Sequence, residues 1–244
     1  MLIPKKSLGQ NFLLDKNLCK KIINSLNIKN KIIIEIGPGT GQLTDEIIKF
    51  KPKKLILIEK DYKLFKILKT KYSELNSIEI FNIDAIQINL DLNENFSIIS
   101  NLPYNIASKL IFDILIKYNN IKEMIFLIQK EVSKKFNYQI NKKSNKYNLF
   151  LKTVTKYEIL FHISNKVFYP NPKVESTLIK ITPKKTKINK KELWDFSNNL
   201  FINKRKKLNK TFRKLKNNIK FKDILENRPE QLNKDEYIKL FLNY

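Results

Sequence analysis

Five short apolar runs, separated by segments of helical period, constrain this chain more than any other feature. They are Lys31 to Ile36, Lys54 to Glu59, Ile78 to Ile83, Phe96 to Ser100 and Met124 to Ile128. Some are continuous rather than alternating, such as Leu55-Ile56-Leu57-Ile58, the pattern of a strand buried on both faces. Helical patterns lie between them. One runs from Gln42 to Phe50, one is capped by Asp61 and carries Leu64, Ile67 and Leu68, and one turns Leu110, Ile111, Ile114 and Leu115 inward. Asp15 caps an earlier helix carrying Leu18, Ile22, Ile23 and Leu26. This alternation predicts an α/β fold, a doubly wound parallel sheet with helices on both faces.

Beyond the fifth strand the pattern changes. A helical stretch covers Glu131 to Phe136, and the polar run Asn141 to Asn148 reads as a loop. Two further strands are expected at Tyr157 to Ile163 and Ser176 to Thr182. Between them stands Val167-Phe168-Tyr169-Pro170-Asn171-Pro172, where the prolines oppose regular pairing and set a stiff, extended loop. Pro183 and the lysines after it mark a boundary. The expected domains are therefore residues 1–183 and a small helical domain at 184–244. In the latter, Leu193, Phe196, Leu200 and Phe201, then Leu208, Phe212 and Leu215, recur at helical spacing, and Asp235 to Leu242 forms a last helix.

Charge narrows the partner. The 244 residues carry a formal net charge of +25. Residues 184–220 hold 14 Lys/Arg against two acids, Glu192 and Asp195, close to half of that excess. A local field of one sign is the footprint of nucleic-acid binding. Arg205, Arg213 and Arg228 are the only arginines, and a lysine-, asparagine- and isoleucine-rich composition also follows from A/T-rich codons, so both origins of the charge stay open. The single cysteine, Cys19, excludes an intrachain disulfide and fits a reducing compartment. No apolar run approaches the roughly 20 residues of a membrane span, and the first residues hold no signal-peptide core. A soluble, cytoplasmic protein without a membrane partner is expected. The lone histidine, His162, reads as structural on an alternating strand, and no metal site is expected.

Two loops carry the chemistry. Gly37, Gly39 and Gly41 follow the first strand, so the backbone can turn sharply and come close to a ligand at a helix N-terminus. A dinucleotide fingerprint would need glycine where Gln42 stands, and GxGxG suits a cofactor without a pyrophosphate. Glu59 ends the second strand, about 20 residues on, where an acid accepts from ribose hydroxyls. Asp84 ends the third strand and can accept from an adenine amine; Asp61 is a rival to Glu59 but is assigned to capping.

The second loop, Asn101-Leu102-Pro103-Tyr104, follows the fourth strand. An adenine amine is a poor nucleophile because its lone pair is conjugated with the ring. The Asn101 side-chain oxygen and the Leu102 carbonyl can hold that amine so the lone pair faces an electrophile. Pro103 stiffens the turn. Tyr104 can stack on the purine, a contact worth ~1–3 kcal/mol per base. Phe168 is a candidate second stacking face, not separable from Tyr169 on sequence alone. Such a pocket takes a base out of its stack. The two loops together suggest methyl transfer from S-adenosylmethionine to an adenine.

On Lys6 to Leu13, Glu35 to Thr44, Asn101 to Ser108 and Val167 to Ser176, taken in order, the chain resembles the ribosomal RNA adenine N6,N6-dimethyltransferase family, KsgA type. The resemblance implies a Rossmann-like class I methyltransferase sheet with a small C-terminal helical domain. It implies that Asn11 and Leu13 contact S-adenosylmethionine, and that Gly37, Glu59, Asp84 and Asn101 line the rest of that pocket. Asn101 and Tyr104 then hold the target adenine, with Phe168 opposite. The implied reaction adds two methyls to N6 of each of two adjacent adenines near the 3′ end of small-subunit (16S) rRNA during ribosome assembly. The implied partner is the small ribosomal subunit or its pre-ribosomal rRNA, met by a monomer.

Two alternatives share the fold: a large-subunit rRNA adenine methyltransferase of the macrolide-resistance type, and a non-catalytic RNA- or DNA-binding factor. Asn-Leu-Pro-Tyr and Arg228-Pro229-Glu230-Gln231-Leu232 favour the small-subunit type. Where that family shows an Arg-Arg-Lys-Thr run on a basic helix, this chain has Lys204-Arg205-Lys206-Lys207-Leu208. With Lys210 and Arg213 these are the expected RNA-binding residues.

Overall fold

In the computed structural model the chain is described at residues 4–5, 8–89, 92–212, 215 and 219–244. It divides into two units, Met1–Ser133 with Glu158–Thr182, and Lys134–Tyr157 with Pro183–Tyr244.

The first unit is built on β2 (Ile32–Ile36), β3 (Lys54–Ile58), β4 (Ile78–Phe81), β5 (Phe96–Asn101), β6 (Ile121–Gln129) and most of β7 (Thr155–Ile163) and β9 (Ser176–Pro183). These form one seven-stranded sheet in the order β4-β3-β2-β5-β6-β9-β7. A separate two-stranded ribbon pairs β1 (Phe12–Leu13) with β8 (Phe168–Tyr169). The helices are α1 (Lys16–Ile23), α2 (Gln42–Lys49), α3 (Tyr62–Lys71), α4 (Ala107–Lys117) and α5 (Lys130–Phe136). The five apolar runs predicted from the sequence are β2 to β6.

Strand β2 pairs in parallel with β3 on one side and β5 on the other, with Ile34 opposite both Ile56 and Ile98. Strand order therefore reverses at β2, and the crevice beside such a reversal lies at the carboxyl ends of the strands. Ile33, Leu55, Leu57, Ile99 and Ile125 pack in one core cluster with Ile22 and Ile23 of α1 and Ile47 of α2. The alternate residues Ile34, Ile56 and Ile98 are equally buried, so the sheet is covered on both faces and the continuous apolar runs are explained. Strand β9 pairs antiparallel with β6, and β7 lies beyond it at the edge.

The second unit takes in residues 134–157 as well as Pro183–Tyr244, which begins next to the expected boundary. The added residues include a helix, α6 (Lys146–Val154), whose first three residues lie in the polar run expected as a loop. Asn145 caps it with a full capping box through Asn148. Within this unit Phe150 meets Trp194 edge-on, Ser144 Oγ donates to the Leu232 carbonyl at 2.7 Å, and Lys184 N donates to the Val154 carbonyl at 2.8 Å. The other helices of the unit are α7 (Lys190–Ile202), α8 (Lys222–Glu226) and α9 (Lys234–Phe241). Phe196 of α7 packs against Phe212, Tyr237 and Phe241, and Ser197 is hydrogen-bonded to the Tyr237 hydroxyl.

The expected basic helix is also corrected. After α7 the backbone at 203–206 is turn and bend, and a short 3-10 turn covers Leu208–Lys210. Lys204, Arg205, Lys206, Lys207 and Lys210 are all exposed there, and Lys207 pairs with Glu226 at 2.7 Å. Arg213 lies outside the described residues. Among the described residues no helix is long and apolar enough to cross a membrane.

Candidate active site

A cleft, partly open to solvent, lies at the carboxyl ends of the first unit's strands. Its floor is the glycine loop. Gly41 is the left-handed N-cap of α2, at φ 90, and an added Cβ would collide with the Tyr72 hydroxyl. Gly39, at φ 61, carries the Phe12 ring, since a Cβ there would stand 3.0 Å from Phe12 Cδ1. Gly37 is different. It lines the cleft, and an added Cβ would meet nothing within 4 Å. That open space at a backbone approach suits the bulk of a nucleoside-like ligand.

Glu59, at the end of β3, is buried and accepts from Asp61 N at 2.7 Å through Oε1 and from Gly39 N at 3.2 Å through Oε2. Burial raises its pKa, and the two main-chain donors oppose that rise. Asp84 accepts from Lys60 Nζ at 2.8 Å and from Ile86 N at 3.0 Å. The Lys60 ammonium and that N–H hold its carboxyl below the ordinary range. Both acids line the cleft, and each carboxylate oxygen, already accepting one hydrogen bond, keeps the capacity to accept another. A cluster of acceptors over open space fits the hydroxyls and amine of an adenosine moiety.

The roof is the N-terminal strap, residues 8–13. Asn11 and Leu13 line the cleft from this side. The Asn101 Nδ2 donates to the Asn11 carbonyl at 2.8 Å. This bond fixes the amide, so Oδ1 is the edge left to accept from another group. Pro103 also lines the cleft. Leu102 is buried, and its N–H donates to the Leu127 carbonyl at 3.2 Å, which extends the sheet into the turn. Tyr104 is half-buried, with its hydroxyl 2.7 Å from Ser176 Oγ. Burial pushes its pKa up, and the Ser176 contact works the other way.

Phe168 does not stand where the sequence reading put it. It is 1% exposed and joins the core cluster with Leu13, Ile163 and Leu178. The cause is the pairing of Phe168 with Leu13 in the β1–β8 ribbon, a ribbon that the prolines permit because it ends at Tyr169. Strand alternation then turns Phe168 inward and leaves Tyr169 42% exposed. In this structure Phe168 is a support under the strap rather than an accessible stacking face.

The cleft also brings in residues the sequence reading gave no role. Glu35, in the middle of β2, is fully buried and accepts from Thr44 Oγ1 at 2.6 Å. Burial raises its pKa to about 8. A lone acid inside an isoleucine strand was the available signal. Gln10 lines the cleft and binds Asp61, and nothing local in the sequence marks it. His162 bonds Thr177 Oγ1 at 2.9 Å and lies away from the cleft lining.

A family model described as ribosomal RNA adenine dimethylase matches residues 2–242. The chain is 38% identical to ribosomal RNA small subunit methyltransferase A of Borreliella burgdorferi, over 98% of this chain and 88% of that one. It is 38% identical to the protein of the same name from Mycoplasma capricolum subsp. capricolum, over 97% of this chain and 96% of that one. Among solved structures, a dimethyladenosine transferase from Plasmodium falciparum superposes with a TM-score of 0.81 at 25% identity, covering 95% and 96% of the two chains. The fold is accordingly the Rossmann-like α/β fold of class I methyltransferases with a C-terminal helical unit, and the chain belongs to the ribosomal RNA adenine dimethylase family.

Proposed function

We propose that this chain transfers methyl groups from S-adenosylmethionine to N6 of two adjacent adenines near the 3′ end of small-subunit rRNA, giving dimethyladenosines during ribosome assembly. The observation that carries the reading is the orientation of Asn101: its nitrogen is held by the strap and its oxygen is left for an amine at the mouth of the cleft. The names of the curated relatives favour the small subunit over the large one.

When bound, S-adenosylmethionine supplies a methyl group on a positively charged sulfur. Asn11, Leu13, Gly37, Gly39, Glu59, Asp84 and Asn101, which line the cleft, would hold it, and Gly41 sets the turn behind them. Glu59 takes the ribose hydroxyls and Asp84 the adenine amine, as acceptors on neighbouring strand ends. Asn101 Oδ1 and the Leu102 carbonyl accept the two hydrogens of the target amine, which turns its lone pair out of conjugation and toward the methyl. Pro103 keeps the two acceptors fixed, and Tyr104 stacks on the purine. No side-chain base is needed, since nitrogen grows more acidic as it is alkylated and water takes the proton. Positioning and preorganised dipoles then supply the rate.

The exposed Lys204, Arg205, Lys206, Lys207 and Lys210, with Arg213, contact the phosphate backbone of the pre-ribosomal particle. The protein works as a monomer in the cytoplasm. Incubation with labelled S-adenosylmethionine and unmethylated small or large subunits, followed by nucleoside mass spectrometry, tests this. Dimethyladenosine in the small subunit is expected. Label in the large subunit alone, or none in either, overturns the reading.

A further inference from the structure

We propose that Asp61 is a positioning residue that latches the N-terminal strap over the cleft. The inference rests on the reading of that cleft as the S-adenosylmethionine site. A helix N-cap needs one side-chain oxygen, and Asp61 Oδ1 meets that need by accepting from Lys63 N at 3.0 Å. The carboxylate does more. Lys5 Nζ reaches Oδ1 at 2.9 Å and Gln10 Nε2 reaches Oδ2 at 3.2 Å. Gln10 Oε1 in turn accepts from Lys5 N at 2.8 Å, so the two strap-side donors are tied to each other. The Asp61 side chain is only 4% exposed beneath them. Burial works against its ionised form, and these donors together more than offset that, keeping its pKa below the ordinary value.

The latch connects with the cleft at both of its ends. Asp61 N donates to Glu59, whose other oxygen receives Gly39 N from the glycine loop. The strap that Asp61 holds lays Phe12 on Gly39, Gly9 against Pro103, and the Asn11 carbonyl on Asn101. One carboxylate thereby sets the height of the roof over the donor. Its loss is expected to raise the donor's Kd more than it lowers the rate at saturation, because the strap can still close once the donor is abundant.

Asp61→Asn separates the latch from the cap, since asparagine caps as well as aspartate but gives Lys5 no charge. Lys5→Ala removes the far partner from a half-exposed surface position and leaves the cap untouched. Amide hydrogen exchange of residues 8–13 in the ligand-free protein is expected to quicken roughly tenfold in both variants, the scale of a lost charge-assisted hydrogen bond. Titration calorimetry is expected to show S-adenosylmethionine bound roughly tenfold more weakly, with kcat changed by less than about twofold. The double variant should add little to either single one. Strap exchange and donor affinity equal to the parent protein's overturn the latch, as does full additivity. Failure of the parent protein to bind S-adenosylmethionine overturns the functional reading instead, and strap exchange then decides the latch by itself.

Discussion

The side-chain nitrogen of Asn101 donates to the main-chain oxygen of Asn11, 90 residues upstream, at 2.8 Å. A turn at the end of a central strand is thus oriented by a strap from the start of the chain. The bond costs Asn101 one donor and leaves its acceptor oriented, which is the polarity that an exocyclic amine requires.

Asn101→Ala is expected to lower methyl transfer by about 10²–10³, the usual cost of deleting one preorganised group at a reacting centre. The fold should survive, because Asn101 is only half-buried at the strand end. Transfer of label to rRNA alongside far-UV circular dichroism checks both halves. Unimpaired transfer would remove Asn101 from the chemistry.

Phe168 and Tyr104 are expected to part company. Phe168→Ala empties a buried core site and should cost about 3–5 kcal/mol of stability, read as a lowered urea midpoint. Tyr104→Ala should leave stability much closer to the parent and raise KM for rRNA, because a stacking face worth ~1–3 kcal/mol is lost. Tyr104→Phe keeps the ring and loses only the Ser176 bond, so it should retain most activity. The reverse pattern would return Phe168 to the base-binding pocket.

The contrast between these two aromatics shows where the sequence was informative. Strands β2, β3, β5 and β6 were legible because burial on both faces calls for near-continuous Ile, Leu and Phe runs, whereas the edge strand β4 alternates as Ile78-Glu79-Ile80-Phe81 and is half-exposed. That Glu59, Asp84 and Asn101 line one cleft was legible because strand ends in such a sheet face one crevice. The inward turn of Phe168 was not, since it depends on pairing with Leu13, more than 150 residues away in the chain. Helix α6 was hidden for a local reason. Asn145 and Asn148 sit in a polar run that looks like loop, yet asparagine is a preferred N-cap and here closes a capping box. The strap's hold on Asp61 carries no periodicity at all and appears only once the chain is folded.

Glu35 gives the protein a pH signature. Its carboxyl ordinarily titrates near 4.5 and is raised to about 8 by burial in β2. Between those values the folded state holds a proton that the unfolded chain has released, so stability falls as pH rises across that window. The contribution is whole below the lower value and is lost through the upper one. Glu35→Gln keeps an acceptor for Thr44 without a titrating group, and it should flatten the decline. Urea unfolding of both proteins from about pH 5 to about pH 9 checks this. Parallel curves would mean that Glu35 is ionised in the fold.

The exposed basic segment after α7 makes a prediction about salt. Among the described residues Lys206 and Lys210 have no ion-pair partner, whereas Lys207 faces Glu226. Only cations free to meet phosphate release counterions on binding, and each contributes about 0.7–0.9 to the slope of log affinity against log salt. Lys206→Ala with Lys210→Ala should therefore weaken rRNA binding and flatten that slope by about 1.4–1.8. Lys207→Ala alone should change it less, because Glu226 already offsets that charge. The comparison is made by titrating each protein with an rRNA fragment over a series of salt concentrations. An unchanged slope in the double variant would make this lysine cluster a product of composition rather than a contact surface.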